Sequence, residues 1–75
     1  MTTFALFDSS ALVAASYDRA NRILRLRFIK GDVYDYQDVP EKVFSGLLVA
    51  HSTGQFFNAR IKPHFTARFK ERIDS

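Results

Sequence analysis

The sequence predicts an α+β domain: a three-stranded antiparallel β-meander followed by two C-terminal helices packed on one face, with a third if the last residues dock. Three observations carry this. Residues 22–29, RILRLRFI, alternate Leu24, Leu26 and Phe28 with Arg25 and Arg27, which is the period of a strand with one apolar face. Lys30-Gly31-Asp32 interrupts the run, and Val33-Tyr34-Asp35-Tyr36 resumes it, as a hairpin does. Val39-Pro40-Glu41 then leads into Val43, Phe44, Leu47, Leu48 and Ala50, a stripe at helical spacing.

Ahead of the hairpin, residues 11–18 (ALVAASYD) read as a strand with Val13, Ala15 and Tyr17 on one face. Residues 1–8 carry Phe4, Leu6 and Phe7 without a clear period and read as an N-terminal arm or a first edge strand; Ser9-Ser10 reads as a turn. A four-residue turn at 18–21, with Asp18 and Asn21 at its ends, pairs Ala15 with Leu24 and Val13 with Leu26.

Side-chain parity decides between the hairpin registers. A two-residue loop would set Phe28 opposite Val33 and the tyrosines beside the arginines. A three-residue loop over 30–32 sets Phe28 opposite Tyr34 and Leu26 opposite Tyr36, gathering the large apolar groups on one face. It also suits Gly31 or Asp32 taking positive φ before a bulge. The expected core motif is therefore Phe28, Tyr34, Tyr36 and Pro40, with both tyrosines under the helices.

Proline suits the first helical position and Glu41 suits the first turn. Gly46 costs about 1 kcal/mol against alanine and is expected to allow a close approach to the sheet. Ser52-Thr53-Gly54-Gln55 has capping-box spacing and opens a short second helix through Phe56, Phe57 and Ile61, which Lys62-Pro63 ends. Phe65, Phe69 and Ile73 are four apart, so residues 66–75 read as a last helix if they dock and otherwise as a basic C-terminal extension.

Seventy-five residues make one domain over 1–75. A chain of this size buries roughly 60–65% of its unfolded surface, so the 15% aromatic content matters to a thin core. There is no cysteine, hence no disulfide framework or thiolate chemistry, and no apolar run of membrane-spanning length. A cytoplasmic location is the expectation. Residues 60–75 hold five basic against two acidic residues, which accounts for the whole net charge of +3.

The residues from Gly31 to Ile61 resemble the KTSC domain, a small bacterial family found alone and at the C-terminus of some lysyl-tRNA synthetases. The resemblance runs over about residues 9–65. It is carried by Tyr17-Asp18, then Leu24, Leu26 and Phe28, then Gly31, then Tyr34-Asp35-Tyr36, then Val39-Pro40, then Ser52-Thr53-Gly54-Gln55-Phe56-Phe57-Asn58. Phe65 departs from the tyrosine frequent in the family. The resemblance implies no catalytic residues; the synthetase association suggests RNA.

No catalytic or metal constellation stands out. His51 and His64 lie in different elements, and a zinc site would need about four nitrogen or sulfur ligands. No cofactor is expected. The residues best suited to a phosphate backbone are Arg22, Arg25, Arg27 and Lys30 around the open sheet face, and Arg60, Lys62, Arg68 and Arg72 toward the C-terminus. Against this, Asp35 sits across the hairpin from the arginines, where cross-strand pairing is an ordinary surface contact. The expected function is a non-enzymatic RNA-binding accessory module, tRNA being the suggested ligand. The alternative is a protein-interaction module, a homodimer through the apolar residues of the open face, Leu12, Ile23, Ile29 and Val33, with Phe4 and Phe7 of the N-terminal arm.

Overall fold

The computed structural model describes residues 2–7 and 11–73. Five strands form one antiparallel sheet in sequential order: β1 (Thr2–Leu6), β2 (Leu12–Asp18), β3 (Ile23–Phe28), β4 (Asp32–Tyr36) and β5 (Ala67–Arg72). Between β4 and β5 the chain forms α1 (Glu41–Val49) and α2 (Thr53–Phe56), and α2 runs into a π-helical turn, Phe57–Ile61. The helical layer covers one face of the sheet. The α+β class and the meander at its centre are as expected; the sheet has five strands rather than three. The turn expected at Ser9-Ser10 lies outside the described residues.

The added strands are the two edges. Thr2–Leu6 pairs with β2 along its whole length, so the N-terminal segment is an edge strand rather than a loose arm. Among the described residues the expected third helix is replaced by a strand: Ala67–Arg72 pairs with β4. A spacing of four places residues on one side of a helix and equally on one side of a strand, so Phe65, Phe69 and Ile73 could not separate the two. The competition is settled by β4, which would otherwise leave a row of backbone donors and acceptors unpaired. Phe65 packs against the core, and Phe69 meets the Tyr34 ring edge-on at 5.5 Å.

The hairpin keeps the expected parity with a register two residues away. Leu24 faces Tyr36 and Leu26 faces Tyr34. The loop has three residues, 29–31 instead of 30–32: the Gly31 amide donates to the Phe28 carbonyl at 2.9 Å, and Gly31 takes φ +100°. This is a tight turn closed by a glycine bulge, which shifts pairing without exchanging the faces. The β2–β3 pairing moves likewise, with Ala15 opposite Leu26 and Tyr17 opposite Leu24. A bulge between Leu12 and Ala14 then reverses the expected facing at the start of β2: Leu12 joins the core, and Val13 lines the opposite face.

The core consists of Leu12, Ala15, Tyr17, Leu24, Leu26 and Tyr36 from the sheet, Val39 from the lead-in, and Phe44, Leu47, Phe57 and Ile61 from the helices. Phe28, Tyr34 and Phe7 pack at its margin. Tyr17, 1% exposed, stacks on Phe44 at 5.3 Å, and its hydroxyl donates to the Val39 carbonyl at 2.5 Å. That bond ties the second strand to the start of the helical layer.

Pro40 stands one position before the expected one, as the extended cap of α1, and its carbonyl accepts from Val43. Leu48, expected in the apolar stripe, is 42% exposed; Phe44 and Leu47 carry the burial. Gly46 admits the Phe56 ring rather than the sheet: a Cβ there would lie 2.8 Å from its Cζ. The Ser52 hydroxyl accepts from the Gln55 amide at 3.2 Å, the expected cap. The π turn is closed by the Lys62 amide donating to Phe57 at 2.9 Å, and it buries Phe57 and Ile61 together.

Candidate nucleic-acid interface

The sheet face opposite the helices is built from cross-strand rows, and strand pairing fixes which side chains share it. One row runs Phe4, Ser16, Arg25, Asp35, Arg68 across all five strands. The next runs Leu6, Ala14, Arg27, Val33, Glu71. Most of these residues line a shallow basin of about 440 Å³. Phe4 and Leu6 are 65% and 77% exposed at its β1 edge.

The electrostatics are mixed. Arg25 holds Asp35 through two parallel bonds, Nε to Oδ1 at 2.7 Å and Nη2 to Oδ2 at 3.0 Å. The Asp35 hydrogen bond raises the Arg25 pKa further above its ordinary value, with the charges of Asp35 and Glu71 adding to it. A fork of this kind fixes the guanidinium in place, so part of its donor capacity is directed at the sheet itself. Three arginines and two carboxylates therefore share the face.

The expected basic residues divide among several places. Arg25, Arg27 and Arg68 come together on this face. Arg22 sits at the β2–β3 turn with φ +56°, its carbonyl accepting from the Val39 amide at 2.9 Å. Lys30 lies in the β3–β4 loop, Arg60 on the π turn and Lys62 just after it. Arg72 faces Asp32 and pairs with it at 3.1 Å, on the side of the sheet that bears the tyrosines. Of the apolar residues expected on the open face, Val33 is there, whereas Leu12 and Phe7 belong to the core side. Glu71 is the member of the face that sequence reasoning missed. No periodic signal marks it: strict alternation would set Glu71 with Ala67 and Phe69 on the tyrosine side, and a register shift between Val33 and Tyr34 brings it opposite Val33 on the open face.

His51 and His64 are exposed, and among the described residues no cluster of three potential metal ligands occurs. No helix of the described residues is long and apolar enough to cross a membrane.

These features define a class: a sequential five-stranded antiparallel meander, one face sealed by helices inserted before the last strand and the other left open. The KTSC domain model matches residues 8–65, and the chain belongs to that family. It is similar over 95% of its length to a crystal structure of a KTSC domain protein from Yersinia pestis, which it covers completely, with TM-score 0.88 and 31% identity. The fifth strand lies past the family match but within the reach of this structural likeness. A protein of Tsukamurella paurometabola is 53% identical over 60 residues, 80% of this chain and 90% of its own. A lysine–tRNA ligase of Nostoc punctiforme is 38% identical over 58 residues, 77% of this chain and only 10% of the ligase.

Proposed function

We propose that this domain is a non-enzymatic accessory module that binds RNA across the open face of its sheet. The observation that carries the reading is the gathering of Arg25 and Arg27 of β3 and Arg68 of β5 onto one uncovered face, which also bears the exposed ring of Phe4. Cationic groups that track a backbone, next to an aromatic ring that can stack on a base, are the elements of single-strand binding. The likeness to part of a lysine–tRNA ligase supports the same direction.

The test is electrophoretic mobility shift with tRNA and with generic single-stranded RNA at low and moderate salt. Binding that weakens with salt, and weakens again in Arg27→Glu, supports the reading. No shift at low salt, where electrostatics are most generous, removes it.

A second reading has its own observation. Phe4 and Leu6 stand exposed on β1, an edge strand with no charged residue between Thr2 and Leu6. An uncharged edge is a template for another strand, so homodimerisation through β1 is the alternative. Light scattering tests it: a monomer at high concentration counts against it, and a dimer abolished by Leu6→Lys supports it.

A further inference from the structure

On the tyrosine-bearing side of the sheet, the helical layer leaves a groove of about 440 Å³ between the π turn and the β3–β4 loop. Its lining includes the rings of Phe28, Tyr34, Tyr36 and Phe57, with Lys30 and Lys62 contributed from the loop and from the end of the π turn. The volume falls within the range of small-molecule sites, about 300–1,000 Å³.

The rings are mutually braced. Phe28 meets Tyr34 at 5.9 Å and 82°, and Phe57 at 5.2 Å and 73°; Tyr36 meets Phe57 at 5.7 Å and 83°. Edge-to-face packing holds each ring by its neighbour and keeps the walls stiff.

The polar groups differ from those of the core. The Tyr17 hydroxyl is satisfied by Val39. Tyr36 is 6% exposed, yet among the described residues its hydroxyl makes no hydrogen bond, and it is not one of the enclosed unpaired atoms. It thus opens to the groove that the ring lines. Burial raises its pKa, and Tyr34 raises it further, so the phenol stays protonated and able to donate at neutral pH. Asp32 is the carboxylate of the lining and is held by Arg72, which leaves the charge of the groove to two ammonium groups.

A stiff aromatic slot with the unpaired Tyr36 phenol and an excess of two lysines matches a planar base that bears a phosphate. We propose that this groove binds such a group, supplied either by a free nucleoside monophosphate or by the 5′-phosphorylated end of an RNA strand. The site lies on the other side of the sheet from Arg25 and Arg27 and does not rest on the RNA-binding reading.

Amide NMR of the full chain, titrated with AMP and UMP, tests it, with adenosine and inorganic phosphate as separate probes. A short RNA is added with and without a 5′-phosphate. The expected result is saturable shifts confined to Gly31, Tyr34, Tyr36, Phe57 and Lys62, with adenosine and phosphate each weaker than AMP. Lys62→Glu and Lys30→Glu should each weaken AMP binding about fivefold, and Lys42→Glu on α1, outside the groove lining, should leave it unchanged. Saturation by AMP or UMP identifies the free nucleotide as a source; a response to the phosphorylated RNA alone identifies the strand end. The proposal is overturned by an absence of shifts up to about 10 mM in every arm, by equal response to phosphate alone, or by shifts on the open face instead.

Discussion

Gly31 and Ile73 meet backbone to backbone at the end of the sheet. The Ile73 amide donates to the Gly31 carbonyl at 2.8 Å, and a Cβ on Gly31 would lie 2.2 Å from the Ile73 carbonyl oxygen. The same glycine sits at φ +100°. One residue thus closes the β3–β4 hairpin and receives the far end of β5, so the turn and the last strand depend on each other.

Gly31→Ala is therefore predicted to cost more than the usual penalty for a non-glycine residue at positive φ, about 1 kcal/mol. The added methyl meets fixed backbone, so β5 must shift or detach. Thermal unfolding should show a fall of several degrees. Hydrogen exchange should show β5 amides losing protection more than those of β2. An alanine variant with native stability and a protected β5 would refute this.

Tyr17→Phe keeps the stack on Phe44 and removes the donor to the buried Val39 carbonyl. Leaving that acceptor unpaired should destabilise the fold by about 1–3 kcal/mol, seen as a lower denaturation midpoint with an unchanged slope. A neutral outcome would mean that water replaces the hydroxyl.

Asp18 makes a small contribution to the acid side of the stability profile. The Asn21 side-chain amide, donating at 2.7 Å, is the main cause that holds the Asp18 pKa below its ordinary value, and the backbone amides of Asn21 and Ala20 add to it. Since the folded pKa is depressed, the contribution is fully present above the unfolded value, about pH 4. It is lost as pH falls through the folded pKa. Carboxyl NMR titration should find Asp18 below a free aspartate, and Asn21→Ala should move it back up. The group is exposed, so the effect on the unfolding curve is small.

The RNA reading makes a prediction about direction. Arg68→Glu, which alters the open face, should weaken RNA binding and flatten its salt dependence. Arg60→Glu on the π turn should change it much less. Equal losses in both variants would point to diffuse electrostatic attraction rather than to one face.

Much of the central fold was legible in particular residues. Leu24, Leu26 and Phe28 alternating with Arg25 and Arg27 announced the strand, and parity turned Tyr34 and Tyr36 toward the helices before any register was known. That conclusion survived a register error of two residues because faces repeat every two. It could not survive a bulge, and the one beside Val13 exchanged that residue with Leu12. A bulge is a single-residue event that leaves no periodic trace.

The sequence by itself determined the apolar and charged faces of the central strands, the Ser52 cap and the family. Those follow from local periodicity and from side chains bonding to nearby backbone. Only the tertiary structure decided that Thr2–Leu6 and Ala67–Arg72 are strands, because an edge strand is specified by the neighbour that needs its hydrogen bonds. It likewise decided that Arg68 joins Arg25 and Arg27 while Arg22, Arg60 and Lys62 lie elsewhere. Convergence of charges in space depends on strand pairing between residues as far apart as Asp35 and Arg68, and no local pattern records it.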